Sequence, residues 1–181
     1  MMGQGLIIGV LDTSINPTHP SFKDTNMPPK PPITKWKGNC SYAGFPCNNK
    51  IIEAKAFFVG SHTSPEDTNG YGTHVASTTA GNFVKDANVL GMAKGDPASG
   101  IAPMAHLFIY KVCYPKVKCI GADLYAAIDQ AMKDGWTLSR CLLLAIIMLL
   151  FIKIQFLGVL WQQYNMESFL SLWPEMMVNL L

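Results

Sequence analysis

Charge is scarce in this sequence. Asp, Glu, Lys and Arg make up 14% of it, against about a quarter in ordinary globular chains. Fourteen basic and twelve acidic residues leave a net charge of +2. Lys and Arg form no patch, so there is no electrostatic footprint for nucleic acid. The start of the chain lacks a basic n-region followed by an apolar h-region, which reads as no secretory signal. No internal repeat is present. His, Cys and acidic residues fall nowhere at metal-ligand spacing, so neither a metal nor another cofactor is expected.

A chain of 181 residues with 49% hydrophobic content can bury a sizeable core as one domain. The average conceals a break. Residues 1–135 mix short apolar runs with Gly, Pro, Asn and Asp punctuation. Residues 136–181 contain "CLLLAIIMLLFIKIQFLGVLW", which has one Lys and one Gln in 21 residues. That stretch, 141–161, is long enough to span a bilayer. Five cysteines divide by region. Cys40 and Cys47 flank one loop, Cys113 and Cys119 flank another, and Cys141 sits alone in the apolar run. Two close pairs point to local disulfides in an oxidising compartment, with free buried thiols as the alternative.

"LIIGVLD" (6–12) is a continuous apolar run ending on an acid, as a buried parallel strand does. A Pro-rich loop over 27–33 follows. "IIEAKAFF" (51–58) and "AHLFIYKVC" (105–113) read as further strands. "GTHVASTTAGNF" has small residues at close spacing and reads as a tightly packed helix capped by Gly81. In "ADLYAAIDQAMKDG", Leu124, Ala127, Ile128 and Ala131 form an i, i+3, i+4, i+7 stripe, and Gly135 stops the helix. Strands separated by helices and long loops indicate an α/β fold with a parallel sheet.

Asp12 stands at the carboxyl end of the first strand, where open α/β sheets place functional groups. Some 55 residues later, "DTNGYGTHVAST" puts Gly70 and Gly72 on either side of Tyr71 at the start of a helix. Five blocks then carry a resemblance: "GVLDTSINPTHPSF", "CNNKIIEAKAFF", "SPEDTNGYGTHVASTTAGN", "LGMAKGDPASGIAPMAHLFIYKVC" and "DLYAAIDQAMKDG". In this order, and over almost all of 3–135, the chain resembles a plant-type subtilisin-like serine peptidase. The resemblance implies the N-terminal half of a three-layer, mainly parallel catalytic domain over 1–135. It implies hydrolysis of internal peptide bonds through a covalent acyl-enzyme, protein or peptide substrates, and an extracellular (apoplastic) location.

In that family an Asp, a His and a Ser act in this chain order: the Ser attacks, the His removes its proton, and the Asp orients the His. Carried over, the Asp falls on Asp12, whereas the His position holds Tyr71. A tyrosine phenol, with a reference pKa of about 10, cannot serve as general base at neutral pH. In subtilisin itself, removing the base reduces kcat by roughly 10⁶. His74 lies three residues along the helix, about 4.5 Å further by rise, too far to substitute, and it reads as a helix-packing residue. Milder departures accompany Tyr71. Ser14 replaces a Gly at a close backbone approach, Asn16 an aromatic residue, and Asn69 a position where an acid is common. His19 reads as structural in its turn, and His62 and His106 as surface or loop residues.

After Gly135 the resemblance implies a strand like Val-Asp-Val-Leu-Ser-Leu-Ser, but the chain reads "WTLSRCLLLAII". The genetic code offers an explanation. Combining the third base of each codon with the first two of the next, junctions beginning at Trp or Met are constrained, because each has a single codon. Trp136–Thr137 gives Asp, Trp161–Gln162 Ala, Met166–Glu167 Gly, Trp173–Pro174 Ala and Met177–Val178 Gly. The remaining junctions permit "DSIxxGAxAAIQxGIxxxxAGNxG", a family-like stretch in register over more than 40 residues. The tail 136–181 is therefore expected to be an out-of-frame product of one missing base near codon 135. On this reading the oxyanion-hole Asn is encoded only in the other frame, near junction 175. The nucleophile-bearing Ser segment is expected beyond residue 181, and the chain as written to be inactive. Two rivals stand beside this reading: a pseudo-enzyme that binds peptides or a subtilase, and a fragment tethered to a membrane through 141–161. Membrane association is the less expected.

Overall fold

A computed structural model describes residues 2–40, 42–59, 63–95, 97–115 and 118–136. The tail beyond Trp136, with its apolar run and Cys141, lies outside the described residues, as does His62.

Three strands form the central sheet: β1 (Ile7–Asp12), β2 (Ile51–Ala56) and β5 (His106–Lys111). Their order is β1-β5-β2, with β5 parallel to both neighbours. In register, Val10 faces Ile109 and Asp12 faces Lys111, while Ala54 sits on the other side of Ile109. Every residue of β5 is buried, as expected for the middle strand of a parallel sheet covered on both faces. Its two polar ends are included. His106 is buried at the first position, with Nδ1 2.6 Å from the Asn49 carbonyl oxygen. It is therefore not the surface or loop residue expected from sequence: it opens a strand buried on both faces, and the Asn49 carbonyl gives its ring a partner there.

One face of the sheet meets helix α1 (Tyr71–Ala80). Val10, Ile51, Leu107 and Ile109 pack with Ile15, Phe22, Ala76 and Ala80 in this layer. The small residues are required by distance: a Cβ on Gly72 would lie 2.1 Å from the Ser14 carbonyl oxygen. Gly81 caps the helix through its N–H to Ser77, 2.8 Å. Its φ is −59°, so it ends the helix by close approach rather than by a left-handed turn. His74 lies on the exposed face of α1, which corrects the expectation of a packing residue. The helix turns its Gly72, Ala76 and Ala80 stripe inward, and position 74 is off that stripe.

The other face carries aromatic rings. Phe108 stacks on Trp36 at 4.8 Å, tilts against Tyr110 at 5.0 Å and meets Trp136 edge-on at 5.9 Å. Gly9 leaves the room, since a Cβ there would fall 2.0 Å from the Phe108 ring. Helix α2 (Gly121–Lys133) buries Leu124, Ala127 and Ala131. It ends where Gly135 adopts φ +106°, a conformation open mainly to glycine. Two small antiparallel pairs complete the described residues: β3 (Ala87–Val89) with β4 (Met92–Gly95), and β6 (Cys113–Tyr114) with β7 (Lys118–Cys119). Cys113 and Cys119 are disulfide-bonded with Cα atoms 4.1 Å apart, and Cys40 and Cys47 with Cα atoms 6.3 Å apart.

Candidate active site

Asp12 is the last residue of β1, and Tyr71 the first of α1. The segments between them are tied together by hydrogen bonds. The Thr13 N–H donates to Asp12 Oδ1 at 2.6 Å, and the Gly72 N–H donates to Thr13 Oγ1 at 2.9 Å. Ser14, fully buried, donates its hydroxyl to the Pro65 carbonyl. The Asn16 N–H donates to Thr73 Oγ1 at 2.9 Å, and the Asp67 N–H to the Ile15 carbonyl at 3.0 Å. The strand end and the helix start are thus held as one unit.

Asp67 organises the helix start. Its Oδ1 accepts the Asn69 and Gly70 N–H groups at 2.9 Å each, and its Oδ2 accepts the Thr73 N–H at 3.0 Å and the Thr73 hydroxyl at 2.5 Å. Gly70, at φ 90°, makes the turn into the helix. The Tyr71 N–H is taken by Asn69 Oδ1 at 3.3 Å. The first three N–H groups of α1, which have no intrahelical partner, therefore all reach side-chain oxygens: those of Asn69, Thr13 and Asp67.

The electrostatics follow from this packing. Burial pushes the Asp12 carboxyl above its ordinary value; the Thr13 N–H opposes that and the nearby Asp67 charge reinforces it. Burial acts the same way on Asp67, but the hydrogen bonds from Thr73, Gly70 and Asn69 outweigh it and hold that carboxyl below the ordinary value. Lys111, buried opposite Asp12, donates to the Glu66 carbonyl. Burial lowers its pKa against the pull of Asp67 and Glu66.

Tyr71 is 61% exposed, and no hydrogen bond joins it to Asp12 among the described residues. The fold brings the two positions to adjoining element ends without linking the side chains directly. His19 accepts the Ser21 N–H at 3.3 Å and caps the short 3-10 turn Pro20–Phe22. No group of three or more His, Cys, Asp or Glu side chains able to hold a metal occurs among the described residues. Sequence reasoning missed Asp67, Thr13 and Thr73 as organisers of this corner. The Asp two residues before Asn-Gly was the available signal, since Asx turns and helix starts favour Asp there.

Comparison with known proteins decides the lineage: the model of the subtilase family matches residues 3–138. The chain belongs to the subtilase family. Among relatives in Arabidopsis thaliana, the subtilisin-like protease SBT1.9 is 44% identical over 148 residues, covering 74% of this chain and 20% of the relative. The subtilisin-like protease SBT1.2 is 46% identical over 152 residues, covering 73% and 19%. This subtilase chain thus spans about a fifth of the length of the curated relatives it matches. Among solved structures, the S41 psychrophilic protease is similar at 28% identity and a TM-score of 0.45, over 72% of this chain and 34% of that one.

Proposed function

We propose that residues 3–135 are the N-terminal part of a subtilisin-like serine endopeptidase domain acting on protein or peptide substrates outside the cell, and that Tyr71 occupies its general-base position. On this reading the chain as written does not hydrolyse peptides. The observation that carries it is the tie from Asp12 through Thr13 to Gly72. This tie fixes residue 71 at the head of α1, beside the strand end that bears the carboxylate. An imidazole there could accept a proton from a nucleophile and hand it to the leaving amine. A phenol offers no comparable basic lone pair. Asp12, the orienting carboxylate on this reading, would then have no imidazole to orient.

The test is hydrolysis of a subtilase peptide substrate by the purified chain, with labelling by a serine-directed phosphonate alongside. Neither turnover nor label is expected. Turnover that the phosphonate blocks would overturn the proposal.

We also infer that the tail 136–181 is translated out of frame. The forced junctions at Trp136, Trp161, Met166, Trp173 and Met177 support this, because each returns the residue type that a family-like sequence needs there. Sequencing gene and transcript across codons 130–140 tests it. An additional base is expected, and a confirmed frame would sink the idea and make the apolar tail genuine protein.

A further inference from the structure

We propose that Asn39 is an acceptor for an N-linked oligosaccharide. The inference goes beyond the peptidase reading and rests only on its extracellular route. Of the ten asparagines in the sequence, Asn39 alone opens an Asn-X-Ser/Thr triplet with X other than Pro, namely Asn39-Cys40-Ser41. Asn16 comes nearest, but Pro17 follows it. Ser41 lies outside the described residues, and only its identity enters here.

The structure supplies what a triplet alone does not. Residues 37–40 are irregular; the Lys37 N–H donates to the Asp134 carbonyl at 2.8 Å, while Asn39 itself belongs to no strand ladder. The chain alternates inward and outward. Trp36 is buried beside Phe108, and Gly38 presses on the core, since a Cβ there would lie 1.6 Å from Glu53 Oε2. Lys37 and Asn39 are turned to solvent. Other asparagine amides are already engaged: Asn82 Nδ2 donates to the Lys23 and Thr25 carbonyls, Asn48 Nδ2 to that of Phe22 and Asn88 Nδ2 to that of Asp86. The Asn39 carboxamide makes no hydrogen bond among the described residues. The adjoining Cys40–Cys47 disulfide belongs to the oxidising compartments of the secretory route, where such asparagines are modified.

The co-reactant is a lipid-pyrophosphate-linked oligosaccharide. Asn39 Nδ2 forms a bond to the anomeric carbon while the bond from that carbon to the pyrophosphate oxygen breaks. The lipid pyrophosphate leaves with the electron pair, and one amide proton passes to the transferase.

The experiment translates the full chain behind a heterologous secretory leader in the presence of microsomes, and scores only chains shielded from added protease. The leader imposes entry, so the acceptor is tested apart from the chain's natural location. Pro28→Thr, which completes a second triplet at exposed Asn26, serves as the positive control. One glycosidase-sensitive mobility step is expected for the wild type, two for Pro28→Thr, and none for Asn39→Gln or Ser41→Ala. In the Pro28→Thr background, Asn39→Gln should leave one. Shielded wild-type chains without a step, alongside Pro28→Thr chains with one, would overturn the proposal.

Discussion

Ser14 has φ +91° and no exposed surface. A non-glycine residue in left-handed backbone is disfavoured by about 1–2 kcal/mol. The sequence marked the position as one where a side chain is unwelcome, for reasons of close approach. The structure adds a positive φ, and a compensation that sequence could not reveal: the hydroxyl donates to the Pro65 carbonyl, 51 residues away. The two effects oppose each other, and substitutions separate them. Ser14→Ala keeps the backbone strain and loses the hydroxyl's hydrogen bond to the Pro65 carbonyl, which should destabilise by about 0.5–1.5 kcal/mol. Ser14→Gly loses the same bond but relieves the strain, so it should fall within about 1 kcal/mol of the wild type. Urea midpoints should therefore rank Ser14→Ala lowest. An alanine variant as stable as the wild type would show that the hydroxyl contributes nothing.

At the scale of elements, α1 depends on a residue outside it. Asp67 receives two loop N–H groups and two donors from Thr73, so Asp67→Ala should destabilise by about 1–2 kcal/mol, at the upper end of helix-cap replacements. The sign of its pH dependence is fixed. Its folded carboxyl lies below the ordinary value, so its stabilisation is present above the unfolded pKa and is lost as pH falls through the lower folded one. Between about pH 5 and 3 the wild type should lose more stability than Asp67→Asn. Equal acid limbs in denaturant titrations would refute this role. The helix itself was legible in the sequence from its small-residue spacing, as were the central strands from their apolar runs and α2 from its Leu124-Ala127-Ala131 stripe. The short pairs β3–β4 and β6–β7 were not, because segments of two to four residues carry too little periodicity to register. His74 and His106 were misplaced for a related reason. Burial of a single polar residue is set by which face its element turns inward and by a distant partner, and neither is written locally.

For the whole molecule, a buried polar cluster ties three elements together. The Tyr110 hydroxyl of β5 lies 3.0 Å from both Glu53 Oε1 of β2 and Asp134 Oδ2 at the end of α2, and its single proton is shared between the two carboxyl groups. Lys55 Nζ bridges the same carboxylates, and Gln130 Nε2 donates to Asp134 Oδ2 at 2.8 Å. Glu53 has no exposed surface, and among the described residues its Oε2 has no hydrogen-bond partner. None of this was legible in "IIEAKAFF", where the two charges read only as interruptions of a strand; their partners lie 57 and 79 residues further along the chain. Two carboxylates sharing one ammonium cannot both ionise cheaply, and their surroundings push them apart. Burial raises Glu53 to about 7, against Lys55 and Tyr110 and with help from Asp134. Asp134 is held low, because hydrogen bonds from Gln130, Lys55 and Tyr110 outweigh its own burial. A carboxyl raised in the fold contributes stability that is fully present below its unfolded pKa and is lost as pH rises through the folded one. The wild type should therefore lose stability between about pH 4.5 and 7, with a slope no steeper than about 1.4 kcal/mol per pH unit for the single proton involved. Glu53→Gln retains an oxygen for Tyr110 and Lys55 and has no proton to lose. Its profile should lack this loss and keep only the contributions that both proteins share, such as those of Asp12 and His106, while Asp134 still governs the acid side. Parallel pH profiles for the two proteins would mean that Glu53 is already ionised in the fold and that the cluster holds three full charges.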